Sequence, residues 1–288
     1  FDPYTHPRYS LDGQMQPRRK GEFLTHREGF EASQFIRDQS DQPFLLYYCP
    51  YAVHTPIQAI EEVAAKYERE GKTKNNAKYA AMVESVDDAV GMIQQALEES
   101  GLASDTMIIF TSDNGGLKGP TDNTPLRSGK GYAYEGGIRV PSIISWPGVI
   151  PSGVESDEPI SSVDYLPTIC EATQTKLPDD LVIDGTSLMG HLKSGATDTL
   201  DRPAIFWHFP HYRHAPGPYS IIRAGDWKLI RWYGGPVELY NLKEDLGEAT
   251  NLVREQPQKV AELDSMLSDE LTRIGAKLPR PNPNYAKN

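Results

Sequence analysis

Thr106-Met107-Ile108-Ile109-Phe110-Thr111-Ser112-Asp113-Asn114-Gly115-Gly116 reads as a short buried strand, Thr106 to Thr111, that empties into a polar, glycine-rich turn. Just upstream lies the strongest helical pattern of the chain, from about Ala77 to Ser100, with Tyr79, Met82, Val83, Val86, Val90, Ile93 and Leu97 on one face and Gly101 as its stop. Downstream, Ser142 to Trp146 reads as a further strand. Earlier still, Pro43-Phe44-Leu45-Leu46-Tyr47-Tyr48-Cys49-Pro50 is a proline-bounded apolar run that suits a strand covered on both faces. Strand, helix, strand in this order predicts a layered α/β domain.

Outside this block the pattern changes twice. Thr25 to about Ser40 reads as a helix opened by a capping box of Thr25 and Glu28, and everything before it as irregular chain. After about Asp198 come short runs, Ala204 to Phe209, Tyr219 to Ala224, Trp227 to Tyr233 and Val237 to Leu242, separated by Gly, Pro and Asp as in an antiparallel sheet. A last helix spans Gln258 to Ile274, with Val260, Leu263, Leu267 and Leu271 at helical spacing, and a Pro-rich tail from Leu278 reads as a surface strap. The expected organisation is an α/β part over residues 1–197 and a subdomain of antiparallel sheet, helix and tail over 198–288.

Composition narrows the classes of function. The 288 residues are 38% apolar and include 24 Gly and 23 Pro, which fits a soluble, loop-rich protein. No run approaches the roughly 18 apolar residues of a membrane-spanning helix. A net charge of −11 argues against general attraction to nucleic acid or anionic lipid, so neither is expected as a partner, and an anionic ligand needs a locally basic pocket. Cys49 and Cys170 are too few for a disulfide framework and lack zinc-binding spacing.

Four places carry chemistry-bearing residues. Asp113 and Asn114 follow a buried strand and supply adjacent oxygen donors of the kind Ca²⁺ or Mg²⁺ prefers, although Asp-Asn-Gly-Gly is also an ordinary turn. Arg127 to Arg139 gathers three cations and four glycines in thirteen residues, either an oxyanion-binding loop or a solvated one. It is no Walker loop, because Lys130 is followed by Gly131. His54, in the turn after the first apolar run, is a proton donor or anion contact, or a structural histidine. His208, His211 and His214 suggest zinc at first sight, but Pro210 and Pro216 disfavour a regular helix presenting them together, which leaves packing or a substrate pocket. Asp87-Asp88 lies mid-helix, where neighbours point apart, and reads as solvated or capping rather than metal-binding.

In order, these segments resemble the sulfatase family, with its alkaline-phosphatase-like α/β architecture: Pro43 to Ile57 (PFLLYYCPYAVHTPI), Ile108 to Gly116 (IIFTSDNGG), Pro125 to Gly148 (PLRSGKGYAYEGGIRVPSIISWPG), Ser161 to Thr173 (SSVDYLPTICEAT), and Gly225 to Leu252 with its GDWKLIRWY and ELYNLKEDLGEATNL runs. The resemblance implies a metal-dependent sulfuric ester hydrolase acting on an aryl or carbohydrate sulfate. It makes Asp113 and Asn114 half of a Ca²⁺ site, Lys130 a contact to the sulfate oxygens, and His54 a partner of the sulfate or its leaving oxygen. Such a set suits sulfuryl transfer, where charge gathers on the peripheral and leaving oxygens. His208 and His211, in the aromatic Trp207 to Pro218 segment, are the candidates for further substrate contacts.

The family's nucleophile, a formylglycine made from Cys or Ser in a C/S-x-P-x-R motif, has no counterpart here, nor does the accompanying early Asp-Asp pair. Cys49 is followed by Pro50-Tyr51-Ala52, and Ser145-Trp146-Pro147-Gly148-Val149 lacks the arginine. The expectation is therefore the C-terminal part of a sulfatase, inactive alone, completed by an N-terminal segment or chain that carries the formylglycine and the remaining metal ligands. Uncovered interior strands would favour self-association. Other readings are a phosphatase or phosphodiesterase of the same superfamily, and a non-catalytic binding or assembly chain. The resemblance also makes export an expectation for localisation.

Overall fold

A computed structural model of the chain describes residues 10–11, 13–15, 21–39, 41–213 and 217–280. Ser40, His214, Pro216 and the end of the predicted strap lie outside them. The described residues fall into two compact units, one up to Ile108 with Gly119–Thr121 and Ile144–Gly148, the other holding the remainder. Among them no helix is long and apolar enough to cross a membrane.

In the first unit, β1 (Ser10–Leu11) and β2 (Gln14–Met15) make a short antiparallel ladder, followed by α1 (Leu24–Asp38), α2 (Glu61–Arg69) and α3 (Lys74–Glu99). Helix α1 starts one residue before the expected cap, with Phe23 as N-cap and no side-chain capping bond. Thr25 is buried inside the helix, and Glu28 accepts a hydrogen bond from the Tyr51 N–H at 3.3 Å. The predicted capping box does not form, because its carboxylate serves the next connection. Helix α2 was not legible as a helix. Glu61 and Glu62 in its first turn and Lys66 and Arg69 in its last complement the helix dipole.

The packed face of α3 differs from the expected apolar stripe. Ala77, Ala81, Met82, Ser85, Ala89, Ala96 and Leu97 are buried, while Val83 is exposed. Small residues win because α1 lies very close: a Cβ added to Gly29 would stand 2.8 Å from the Ala89 Cβ. Asp88 pairs with His26 at 3.1 Å and Asp87 is exposed, as expected for surface roles. The Phe44–Cys49 run shows the two-residue alternation of an extended chain, with Phe44, Leu46 and Tyr48 turned inward. Leu45 and Tyr47 are 73% and 87% exposed, so this run forms no ladder and is covered on one face only among the described residues.

Strands β3 (Ile108–Thr111) and β4 (Ser142–Ser145) pair in a two-stranded sheet. The second unit contains α4 (Glu135–Ile138), α5 (Tyr165–Ala172), α6 (Met189–Lys193), β5 (Ile205–Phe209), β6 (Tyr219–Ala224), β7 (Trp227–Trp232), β8 (Val237–Asn241) and α7 (Pro257–Arg273). The four last strands form the expected antiparallel sheet in the order β5-β6-β7-β8. Alternation splits its side chains cleanly. Ile222, Leu229 and Leu239 meet Leu263, Leu267 and Leu271 of α7. The opposite face, with Tyr219, Ile221, Ile230, Trp232 and Tyr240, packs on Ala133 and Tyr134 of the glycine-rich loop. The small sheet is therefore a platform between a helix and that loop. A buried knot joins α5 to the chain beyond it: Asp164, fully buried, accepts from both the Arg202 guanidinium at 2.7 and 2.8 Å and the Thr186 N–H at 3.0 Å.

Candidate active site

The turn after β3 and the Arg127–Arg139 loop are built as one object. Gly115 N–H donates to the Gly137 carbonyl at 3.0 Å, and Lys130 N–H to the Gly116 carbonyl at 2.9 Å. Asn123 cross-ties them, its amide donating to Gly116 O at 2.9 Å and Ser128 O at 3.0 Å. The contact demands glycine, since a Cβ on Gly115 would fall 1.8 Å from the Gly136 oxygen and one on Gly137 2.1 Å from the Tyr132 oxygen. Asp113 and Asn114 at the end of β3 are thereby held beside the backbone of Lys130. Among the described residues the Asp113 carboxylate, the Asn114 amide and the Lys130 ammonium make no hydrogen bond or ion pair with other side chains.

The three cations of the loop have separate fates. Arg127 is structural, with its guanidinium 3.8 Å over the Tyr134 ring and Nη1 donating to Tyr240 Oη at 3.0 Å and the Glu248 carbonyl at 2.7 Å. Burial and the Glu238 charge push the Tyr134 hydroxyl up to about 12. Arg139 is exposed, its guanidinium 3.8 Å from Glu135. Of the three, Lys130 is the one whose side chain has no hydrogen-bond or ion-pair partner among the described residues.

His54 belongs to the first unit, in a turn closed by His54 N–H to Tyr51 O at 3.0 Å and Tyr51 Oη–H to Thr55 O at 2.7 Å. Its Nδ1 lies 2.8 Å from the Thr55 carbonyl. A carbonyl only accepts, so Nδ1 carries the proton and Nε2 is left as the acceptor nitrogen of the neutral ring. Glu28 holds the turn through Tyr51, and burial lifts its carboxyl from 4.5 to about 7. Burial and the Glu28 charge also raise the neighbouring Tyr48 hydroxyl.

His208 on β5 is engaged at both nitrogens. Nε2–H donates to the Lys277 carbonyl at 3.1 Å, and Nδ1 accepts from Ser220 Oγ at 2.8 Å, which in turn pairs with Tyr233 Oη at 2.8 Å. His211 is exposed, its ring edge against Phe209. Among the described residues no cluster of three or more His, Cys, Asp or Glu forms a metal cage. For a hard divalent cation the donor chemistry of Asp113 and Asn114 fits, but they supply two of the six or more oxygens such an ion takes.

Sequence reasoning missed Glu28, Asn123 and a buried charge cluster of Glu135, Lys228 and Glu248. Lys228 had a visible signal, as a lysine in the strand run Trp227-Lys228-Leu229-Ile230. Glu28 and Asn123 had none.

Similarity to known proteins identifies the family. A family model described as Sulfatase matches residues 8–175, and one for the N-sulphoglucosamine sulphohydrolase C-terminal region matches 128–277. The chain belongs to the sulfatase family. A curated sulfatase of Formosa agariphila is 39% identical over 92% of this chain and 52% of its own length. Human steryl-sulfatase is 37% identical over 72% of this chain and 36% of its own. The crystal structure of Ps i-CgsB in complex with k-i-k-neocarrahexaose superposes with a TM-score of 0.81 at 29% identity, covering 90% of this chain and 56% of the other. The chain thus spans about half the length, or less, of the curated relatives it matches.

Proposed function

We propose that this chain is the sulfate-handling part of a sulfuric ester hydrolase. The observation that carries the reading is the pair of backbone bonds, Gly115 N–H to Gly137 O and Lys130 N–H to Gly116 O, which ties the carboxylate end of β3 to the lysine loop. Lys130 contacts the sulfate oxygens, and its fixed positive charge offsets the charge that builds there as the ester bond breaks. His54, with Nδ1–H committed to Thr55, offers Nε2 to the sulfate or leaving oxygen, where a proton on that nitrogen stabilises the departing alkoxide or phenoxide. Asp113 and Asn114 contribute oxygen donors to a Ca²⁺ that, when bound, neutralises the sulfate. The nucleophile, a formylglycine, and the other metal ligands come from a region outside these 288 residues, which contain no C/S-x-P-x-R motif. Residues 1–288 alone are then inactive and, with Leu45, Tyr47 and Ile143 exposed, inclined to associate.

The names of the relatives support an aryl, steroid or carbohydrate sulfate as substrate. The exposed rim around His211 and Tyr212 is where its organic part is expected to lie. The test is turnover by the protein at its full natural length, with a chromogenic aryl sulfate, sulfated oligosaccharides and the matching aryl phosphate, before and after chelation of Ca²⁺. Lys130→Ala is expected to lower kcat/KM for the sulfate by about 10- to 100-fold, the loss of one charge-assisted contact of roughly 1.5 to 3 kcal/mol. Unchanged kinetics would remove Lys130 from the site, and preference for the phosphate would overturn the reaction class.

A further inference from the structure

Two cations stand directly opposite each other on the loop-facing side of the small sheet. Arg223 of β6 and Lys228 of β7 are register partners, an arrangement that like charges ordinarily disfavour. Lys228 is fully buried. Its Nζ reaches Glu135 Oε1 at 2.9 Å and Glu248 Oε1 at 2.7 Å, and both carboxylates are themselves at least 98% buried. Glu248 also accepts the Glu135 backbone N–H at 2.6 Å through Oε2. The second oxygen of Glu135 has no hydrogen bond, but the Arg223 and Arg139 guanidinium groups lie 3.8 Å away. Glu248 adopts a left-handed backbone, with φ of 51°, which a side chain bearing a Cβ takes up at a cost.

This cluster sits at the root of the loop that carries Lys130. Glu135 is five residues beyond Lys130 in the chain, and Gly136 N–H closes the loop onto the Arg127 carbonyl at 2.9 Å. A buried ion cluster contributes little net stability compared with apolar packing, while a half-paired one is costly, so its presence at the root of this loop points to placement.

We infer that Glu135, Lys228 and Glu248 are positioning residues that clamp the glycine loop to the sheet, so that the Lys130 ammonium stands at the Asp113–Asn114 end of β3. The inference rests on the reading of Lys130 as the sulfate contact. It assigns to the C-terminal sheet a part in the reaction, made through the loop rather than by touching substrate.

The clamp predicts a pH signature. With Lys228→Met, Glu135 and Glu248 face each other, and the charged and titratable groups around them among the described residues are Arg223 and Arg139 near Glu135, Asp226 and Glu158 beside Arg223, and Tyr134, Tyr240, Arg127 and Glu238 behind Glu248. Two adjacent buried carboxylates do not both ionise readily, so one takes up a proton as pH falls. Burial already raises Glu248 above the ordinary carboxylate range.

The experiment compares Lys130→Ala, Lys228→Met and the double variant Lys228→Met/Glu248→Gln in the protein at its full natural length. The measurements are kcat and KM for an aryl sulfate from pH 6 to 8.5 and amide hydrogen exchange. At pH 8, Lys228→Met is expected to lose at least tenfold in kcat/KM, to regain part of it toward pH 6, and to be largely restored by the added Glu248→Gln. The Lys130 and Gly115 amides should exchange faster in the single variant, with β6 and β7 still protected. If Lys130→Ala matches wild type, the sulfate-contact reading fails. If Lys130→Ala is impaired but Lys228→Met matches wild type, or the double variant is no better than the single one at every pH while the loop amides stay protected, the clamp is refuted.

Discussion

Replacing Glu28 with glutamine should stabilise the protein at neutral pH and leave it unchanged in acid. Glu28 is held in α1 behind Tyr48 and Tyr51, and burial carries its carboxyl from 4.5 to about 7, opposed only by the Tyr51 N–H. Its folded-state affinity for a proton exceeds the unfolded one. The protonated form therefore contributes stability that is complete below about pH 4.5, falls as pH rises, and is gone above about pH 7. At ~1.4 kcal/mol per tenfold in proton affinity, the ionised form costs the fold about 3 kcal/mol at pH 8. Glutamine is isosteric, keeps an acceptor for Tyr51 and carries no charge. Thermal or urea unfolding of wild type and Glu28→Gln at pH 5 and pH 8 should show the variant more stable by up to about 3 kcal/mol at the higher pH and much less at the lower. Parallel responses of the two proteins across this range would refute the reasoning. Because Tyr51 also closes the turn that bears His54, the same variant should flatten any acid-to-neutral change in the exchange of the Tyr51 amide.

Two further outcomes follow from the close contacts. Gly115→Ala drives a Cβ to 1.8 Å from the Gly136 oxygen. It should cost about 1 to 3 kcal/mol in unfolding measurements and abolish sulfate turnover in the full-length protein, because the β3 turn and the Lys130 loop must part. Arg202→Met strands the fully buried Asp164, and a loss of about 3 to 5 kcal/mol is expected by chemical denaturation, with the double change Asp164→Asn/Arg202→Met recovering part of it.

The small sheet was legible because Tyr219–Ala224 and Trp227–Trp232, buried on both faces over most of their length, are short apolar-rich runs set off by Gly, Pro and Asp. The Asp113-Asn114-Gly115-Gly116 turn was legible because it follows an apolar run. What sequence reading missed depends on contacts distant along the chain. The α3 face was misread in part, because large apolar residues were all taken to face inward, whereas Gly29 of α1 comes so close to α3 that Ala89 is the residue facing it. Glu28 looked like half of a capping box because the spacing was right, and nothing local reveals that Tyr51 claims the carboxylate. Pattern alone left Arg127, Lys130 and Arg139 equivalent and only the family resemblance singled out Lys130, whereas contacts with Tyr134, Tyr240 and Glu248, up to 121 residues away, set Arg127 apart as a stacked, structural arginine.

The glycine contacts also set limits on variation. Where backbone touches backbone, as Gly115 does Gly136, no side chain can be exchanged to tune recognition, so the centre proposed to hold the sulfate admits almost no diversification. His211 and Tyr212 are exposed, on a stretch tied to the sheet through His208 and to the carbonyls of Lys277 and Arg280 in the chain's last described residues. Under the proposed reading a library aimed at new sulfate esters belongs on that rim, and a shortened C-terminus would disturb the same rim without altering a single residue in it.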